Sequence, residues 1–469
     1  MIDRDGVRDA ARYLRSVRPI DPDEIHEYVE GRPHPALVRQ TLREEAYDLA
    51  LVERSDGSFI PVPDDPIPAV EWAPVRFPDR HANALRDLLV DRLGLDWATG
   101  ASGDQLRDRL TEVKERYYRA HAVNYDETTA LAYAVYHLPG YWAATGYILA
   151  RLAQADLLPR CLRVIDVGAG VGGPALALFD LLPDEAVVDY HAVEASSPAA
   201  DIFRSLVDPP RSARVTVHES RVEAFDATSE GPYDLVLCAN VLSELDDSAG
   251  VARDLFSHLA DDGTFVALAP ADRATATGLR ETERALVDDG PGTMYDPTLR
   301  LWPDARPTDD CWSFDVGRSL APPGVQTDLD DPSAGGPGDG TFVNVDVRYA
   351  YALVRRDGRQ RADVRASPER HAQLAESEQH VTKRVDALVV KLSNDLTDGG
   401  GNPLFLVGDG SQSVDHFAVL ARESGLNKTL REAPYAAVLA LENVLVLWND
   451  DEGAYNLVVD GEAVVDVIG

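Results

Sequence analysis

The chain has 469 residues, more than one ordinary hydrophobic core holds, so three or four domains are expected. It carries 80 acidic against 45 basic residues, a net charge of −35. The acid is spread along the whole length, a distribution that differs from that of a disordered acidic tail.

The basic residues are almost all arginine, with Lys114, Lys383, Lys391 and Lys428 as the lysines. The sign of the charge does not exclude nucleic acid as a partner. At about 1 M salt the screening length falls to roughly 3 Å, and close contacts and stacking then decide binding. Cys161, Cys238 and Cys311 have no ligand spacing, so neither a disulfide framework nor a metal site is expected. Met1 to Asp5 form no apolar signal core, and no window nears the ~18 apolar residues of a membrane span. The expected localisation is cytoplasmic, with no membrane partner.

Residues 7–17 and 35–49 have apolar positions at helical spacing, and Asp21-Pro22-Asp23-Glu24 reads as a cap and first turn. Residues 51–54 and 59–62, joined by Ser55-Asp56-Gly57-Ser58, read as a hairpin. Three helices and a hairpin over residues 1–65 resemble a winged helix. Arg39, Gln40 and Arg43 would then stand exposed on the third helix, and both nucleic-acid contact and protein docking fit such a module. Arg4, Arg8, Arg12 and Arg15 line one face of the first helix, where pairing with Asp5 and Asp9 is the expected role.

After a Pro-rich linker, residues 66–160 read as a helical subdomain, with stretches at 82–93, 103–121, 127–138 and 141–155. Lys114 to His121 interleave basic and aromatic side chains, the pattern of either an RNA-facing surface or an amphipathic helix. Tyr133, Tyr136, His137, Pro139 and Tyr141 are candidates to roof a pocket or to fill the core.

The stretch Arg163-Val164-Ile165-Asp166-Val167-Gly168-Ala169-Gly170-Val171-Gly172-Gly173-Pro174 reads as buried strand, tight turn and helix start. Its glycines permit close approach of a ligand, and the helix aims its first amides at that ligand. A glycine turn alone is shared with dinucleotide-binding enzymes. Here Asp166 precedes the first glycine by two residues and Glu194 closes the next strand, which points to S-adenosylmethionine. Amides around Gly168, Gly170, Gly172 and Gly173 would meet its methionine moiety. Asp166 would hold the turn or, through water, the cofactor ammonium, and Glu194 would accept both ribose hydroxyls.

Further strands are expected at 186–194, 214–218, 233–239 and 264–268, with helices between them, and a last antiparallel pair at 342–347 and 349–355. Alternation means a parallel sheet covered on both faces, and such a sheet closed by a hairpin resembles the seven-stranded class I S-adenosylmethionine-dependent methyltransferase core, an α/β Rossmann-like fold. Such a core is expected over residues 161–356, with an insert at 271–341. Leu237-Cys238-Ala239-Asn240-Val241-Leu242-Ser243-Glu244-Leu245 ends the fourth strand where an acceptor would lie. It lacks the Asn/Asp-Pro-Pro-aromatic tetrad and a Pro-Cys pair, and Cys238 reads as strand core. Asn240 and Glu244 are the candidates to touch acceptor or cofactor; a cap or solvated position is the other reading of Glu244.

The succession of a Tyr-rich helix ending Leu138-Pro139-Gly140-Tyr141, the Asp166 glycine loop, the Asn240 to Leu245 stretch, Leu268-Ala269-Pro270, Cys311-Trp312-Ser313-Phe314 and Tyr349-Ala350-Tyr351-Ala352-Leu353 carries a resemblance. It is similar to the methyltransferase-like family associated with the mitochondrial small ribosomal subunit and its prokaryotic relatives, and the dispersed acid resembles proteins of salt-loving archaea. The resemblance implies S-adenosylmethionine as cofactor and small-subunit RNA as partner, for a methyltransferase or for an assembly factor that kept the fold. Many members hold an iron–sulfur cluster on four cysteines in the insert. Residues 290–314 have Cys311 alone, so no cluster is expected, with Trp302, Trp312 and Phe314 packing the insert instead.

Residues 357–380 read as a linker. Short strands at 385–392, 403–407, 416–421, 437–448 and 454–467, with a helix near 427–431, resemble an OB-fold barrel over residues 381–469. Phe405, Phe417, Trp448 and Tyr455 are available to stack bases, or to fill a core.

Overall fold

The structure, a computed structural model, describes residues 2–118, 126–229, 231–397 and 400–469, and of residues 115–118 the backbone alone. Apart from Lys114, the basic and aromatic side chains running to His121 lie outside the described residues. The chain divides into two compact units. One comprises Met1–Ala239, His258–Gly263 and Gly317–Val347; the other comprises Asn240–Ser257, Thr264–Val316 and Arg348–Gly469.

The first unit opens with α1 (Arg4–Leu14), α2 (Pro22–Ile25), α3 (Pro35–Glu44) and α4 (Ala46–Leu49), followed by the antiparallel pair β1 (Leu51–Glu53) and β2 (Phe59–Pro61). The carboxylates of Asp3 and Asp21 accept from amides of the first turns of α1 and α2, satisfying donors that a helix start leaves open. Val7, Ala11, Ile25, Val38, Leu42 and Phe59 form the small core.

The arginines of α1 take partners across this core as well as along their own helix. Arg4 reaches Glu44 and Glu45, Arg8 reaches Glu45 and Asp5, and Arg15 donates to the Leu49 carbonyl. On α3, Gln40 is exposed, but Arg43 makes a forked bond to Glu53 at 2.6 and 2.9 Å, and Arg39 lies 3.8 Å from the same carboxylate. Gln40 is thus exposed as expected, whereas Arg39 and Arg43 are half-buried and Arg43 is not a free cation, which corrects the expectation for these two arginines.

Three helices follow: α5 (Asp79–Leu93), α6 (Gly100–Tyr118) and α7 (Glu127–Gln154). The sequence predicts a break at Leu138-Pro139-Gly140, yet α7 runs through it. Proline cannot serve the Val135 carbonyl one turn back. Gln326 donates to Val135 O at 2.9 Å and to Tyr136 O at 3.2 Å, and Asn344 donates to Tyr136 O at 3.1 Å. These amides replace what Pro139 lacks, and the helix survives.

Next come β3 (Cys161–Val167), α8 (Gly173–Leu181), β4 (Val187–Glu194), α9 (Ser197–Leu206), β5 (Ala213–Glu219) and β6 (Tyr233–Ala239). The strands are parallel, with β3 between β4 and β6, and β5 outside β4. β3, β4 and β6 are buried almost throughout, as parallel strands covered on both faces must be. Arg163 and Arg214 both bind the buried Asp189, and Arg163 lies 4.3 Å over the Tyr47 ring, which fixes the N-terminal helices to these strands.

The chain continues through α10 (Ser248–Ser257), β7 (Leu259–Pro270), α11 (Arg273–Val287), β8 (Thr293–Asp296) and β9 (Asp315–Val316), then α12 (Gly324–Asp330) and β10 (Arg348–Arg355). In the second unit β10 pairs antiparallel with β7, from Tyr349 opposite Pro270 to Arg355 opposite Thr264, and also with β8 and β9. Residues 342–347 form no strand, so the expected closing hairpin is corrected: β10 meets β7, more than 70 residues before it, and the two short strands beside it come from the insert.

The remaining strands are β11 (Arg384–Lys391), β12 (Leu404–Gly408), β13 (His416–Leu420), β14 (Val438–Asn449), β15 (Ala454–Val459) and β16 (Val464–Val467), with α13 (Thr429–Glu432) between β13 and β14. The order β11-β12-β13-β15-β14 closes back on β11, a five-stranded barrel, and β16 adds to β14. The pair β13 and β15 is parallel; the others are antiparallel. Phe405 sits inside the barrel core.

A second apolar cluster lies on the outer side of β11 and β12. There Leu388, Val390, Leu392 and Leu406 pack against Leu299, Leu301, Trp302 and Cys311 of the insert. Trp302 donates to the fully buried Asp409 at 2.6 Å, and Gln412 donates to Asp309 at 2.9 Å. Trp302 therefore packs the insert onto the barrel. Trp312 does not pack as expected: it is 44 % exposed, with its indole N–H on the Ala271 carbonyl.

Candidate cofactor site

β3 delivers Asp166 and then breaks because Gly168, Gly170 and Gly172 take φ of 65°, 54° and 98°, in the region that residues with a Cβ avoid. The turn is tied down from within. Gly168 N and Ala169 N donate to the Val193 carbonyl at 2.8 and 3.2 Å, and Gly172 N donates to Ala169 O at 3.0 Å. Glu194, at the end of β4, accepts from Gly170 N at 2.8 Å on one oxygen and from Ser196 N at 2.7 Å on the other. Burial raises the Glu194 carboxyl above its ordinary range, against these two amides, which favour its charged form.

The roles differ from the expectation in one respect. Glu194, and not Asp166, holds the glycine turn. The amides of Gly168, Gly170 and Gly172 are spent inside the turn, which leaves Gly173, in the first turn of α8, as the glycine amide oriented by a helix start.

Asp166 is fully buried and accepts from the Tyr190 hydroxyl at 2.6 Å on one oxygen. Its Oδ1 has no hydrogen-bond partner among the described residues. A buried carboxylate oxygen without a donor is costly, so burial pushes the Asp166 carboxyl up to about 7 despite the Tyr190 bond. Tyr190 was not singled out from the sequence; its signal was a phenol inside an otherwise apolar strand.

Close packing seats the turn. A Cβ on Gly172 would stand 2.5 Å from Val207 Cγ2, and one on Gly173 would stand 3.2 Å from Tyr141 Cβ. The latter contact brings α7 against the start of α8. Along that helix Tyr133, His137 and Tyr141 form a ladder, with centroids 4.6 Å apart for the first pair and 5.3 Å for the second. Tyr133 is buried, while Tyr136, His137 and Tyr141 are half-buried. Burial, with Lys114 adding to it, pushes the His137 imidazole down to about 3, so it is neutral near pH 7. Lys114 itself lies 4.0 Å over the Tyr136 ring.

Of the residues expected to touch an acceptor or the cofactor, Asn240 follows β6 with φ of 62° and donates its backbone N–H to Leu268 O at 2.9 Å. Glu244 is exposed at the end of a single 3-10 turn, Leu242–Glu244. Cys238 is buried, and burial pushes its thiol far up, which removes it as a nucleophile. No group of metal-ligating side chains occurs among the described residues, and no helix there is long and apolar enough to cross a membrane.

Residues 137–322 match the family model described as a methyltransferase domain. Residues 4–55 match the N-terminal domain, and residues 375–468 the C-terminal domain, of a family described as a domain of unknown function, DUF8157. No curated protein matches the chain.

Among solved structures, the plantazolicin methyltransferase BamL, in complex with a triazolic desmethylPZN analog and SAH, is 15 % identical over 45 % of this chain and 67 % of its own, with a TM-score of 0.25. The YcgJ protein of Bacillus subtilis is 21 % identical over 26 % of this chain and 51 % of its own, with a TM-score of 0.19. The plantazolicin methyltransferase BpumL, in complex with SAH, is 11 % identical over 59 % of this chain and 98 % of its own, with a TM-score of 0.30. The chain thus spans about two thirds and about half of the first two. Likeness at these scores bears on neither acceptor nor mechanism.

The glycine turn, the orphaned Asp166 oxygen and the close seat at Gly172 and Gly173 fit the cofactor that the family match brings. That cofactor supplies a methyl group on a sulfonium, and Gly173, Asp166 and Glu194 would be the residues to bind and align it. The chain carries a methyltransferase domain, and the domain binds S-adenosylmethionine.

Proposed function

We propose that the protein is an S-adenosylmethionine-dependent methyltransferase of small-subunit RNA, or a methyltransferase-like assembly factor that has kept the cofactor site. The cofactor half of this reading is carried by the turn at Gly168 to Gly173 with Glu194 and Asp166. In it Gly173 meets the methionine moiety, Asp166 the ammonium side and Glu194 the ribose, whose diol suits the lone pairs its two amide bonds leave. Asn240 and Glu244 stand on the acceptor side. Transfer from a sulfonium needs alignment and exclusion of water more than covalent help.

The RNA half is supported by the motif order that resembles the ribosome-associated family and by the two flanking modules. Helices α1 to α3 with β1 and β2 support a winged-helix-like reading. The barrel order, its one parallel pair and the helix between its third and fourth strands support an OB-like reading. A cytoplasmic setting at high salt belongs to the same proposal. One observation favours protein docking for the N-terminal module: Arg43, Arg4 and Arg8 are all bound to carboxylates.

Calorimetry with S-adenosylmethionine, followed by transfer of a labelled methyl group to small-subunit RNA and to assembly intermediates, tests both halves. Binding with transfer is expected. Tight binding without transfer to any RNA would leave the assembly-factor reading, and transfer to small molecules undiminished after loss of both flanking modules would refute the RNA half.

A further inference from the structure

The barrel has four aromatics that sequence alone offers as stacking platforms, and the structure removes two of them. Phe405 is in the core with the Lys391 ammonium 4.3 Å over its ring, and Phe417 packs against the cluster that joins the insert to β11 and β12. The outer face of β11 and β12 is thus occupied by the chain's own residues 299–311. What remains is one end of the barrel. There His416, Tyr455 and Trp448 stand side by side on β13, β15 and β14 in direct register. Tyr455 stacks on His416 with centroids 5.0 Å apart, and Trp448 meets Tyr455 edge-on at 4.7 Å. Trp448 is 41 % exposed, while His416 is buried with both ring nitrogens engaged by Ser377 and Val414.

The surroundings of this indole are acidic. The turn that joins β14 to β15 is Asp450-Asp451-Glu452-Gly453, exposed through its three carboxylates, and Asp450 accepts from the Trp448 indole N–H at 2.8 Å. That bond fixes the ring and pushes electron density into its face. Lys383, whose carbonyl accepts from Val446 N two residues before Trp448, has its ammonium on the Gln379 carbonyl. A phosphate backbone brought to Trp448 would meet the Asp450 carboxylate on the indole edge, with the exposed Asp451 and Glu452 next in the turn. A guanidinium or ammonium would meet them and the ring together.

We propose that Trp448, with Tyr455 behind it and the Asp450 to Glu452 turn beside it, is a docking surface for an arginine- or lysine-containing segment of a partner protein. The surface is an anchor for one or two cationic side chains: a cation over tryptophan contributes about 1–2 kcal/mol when partly desolvated, so removing the ring should weaken binding roughly 5- to 30-fold. This assignment does not depend on what the methyltransferase domain methylates. It differs from base stacking by the sign of the charge that the site selects.

The full chain is titrated at about 1 M potassium chloride, where diffuse attraction to a polyanionic protein is screened, and anisotropy is followed. The probes are a labelled nonapeptide with three arginines, the same peptide with citrulline in their place, and an oligouridine nonamer. Binding of the arginine peptide is expected, with about tenfold loss in Trp448→Leu, a smaller loss in Trp448→Phe, and a loss in the triple variant Asp450→Asn, Asp451→Asn, Glu452→Gln. Thermal unfolding of each variant checks that the barrel is intact. Neutralising three exposed carboxylates elsewhere, Asp9→Asn with Glu27→Gln and Glu30→Gln, should change binding less than twofold. The proposal is overturned if Trp448→Leu binds like the parent, if the control triple variant loses as much as the turn variant, if citrulline binds as well as arginine, or if the RNA nonamer binds more tightly through Trp448.

Discussion

The glycine turn and the joint between insert and barrel are both built on a buried carboxylate, but they use it in opposite ways. At the turn, Asp166 keeps an oxygen without a donor among the described residues, and its carboxyl is pushed up to about 7. At the joint, Asp409 is equally buried and saturated: one oxygen accepts from Trp302 Nε1 and Leu374 N, the other from Ser411 N and Oγ. An unsatisfied buried acceptor costs stability and is kept where a ligand completes it; a saturated one fastens distant segments together.

The largest test of this contrast is Asp409→Ala. It strands two backbone amides, a hydroxyl and an indole N–H in the interior, and a loss of about 4 kcal/mol is expected in denaturant unfolding. Asp409→Asn should cost less, because it keeps one acceptor. A loss under 1 kcal/mol for Asp409→Ala would show that the joint is not what holds the insert.

At the turn, Gly172→Ala must adopt φ near 98° and place its Cβ 2.5 Å from Val207. The expected cost is about 2–3 kcal/mol in stability, together with a weakening of S-adenosylmethionine binding by calorimetry. Loss of stability alone, with affinity unchanged, would show that the turn shape does not serve the ligand.

Gln326→Ala removes the donor that covers the Val135 carbonyl and should destabilise by about 1–2 kcal/mol. Adding Pro139→Ala returns the helix its own amide, so the double variant should recover part of the loss. Additive effects in that cycle would break the link between Gln326 and Pro139.

The carboxylate beside the turn is tested by a pH dependence. The Asp166 carboxyl titrates near 3.8 when unfolded and near 7 when folded, so the folded chain holds a proton that the unfolded chain has released between those values. The contribution of Asp166 to stability therefore falls as pH rises through that window and is level above it. Asp166→Asn mimics the protonated form and should escape the fall, so its advantage in melting temperature grows from about pH 4 to about pH 7. An advantage independent of pH would mean that Asp166 is ionised throughout.

What could be read beforehand follows from range. The strand–turn–helix at Arg163 to Pro174, the hairpin at Ser55 to Ser58, the helix between the third and fourth barrel strands and the end of β4 at Glu194 are all written in contiguous residues. Glycine spacing, alternation and caps act within a few positions, so strands β3, β4, β5 and β6 fall within one or two residues of their expected bounds. The closing strand pair failed because β10 met β7 and not residues 342–347, a pairing across more than 70 residues that local pattern does not rank.

By itself the sequence determined that a glycine turn follows a buried strand, that Glu194 ends the next one, and that a small barrel closes the chain, because backbone conformation and burial period are local quantities. The tertiary structure alone decided which partners those residues take. Glu194 and not Asp166 binds the turn; Gln326, 191 residues from Val135, carries α7 past Pro139; and Trp302 finds Asp409 across 107 residues. Hydrogen-bond partners are settled by what packing brings within about 3 Å, and that depends on the whole fold.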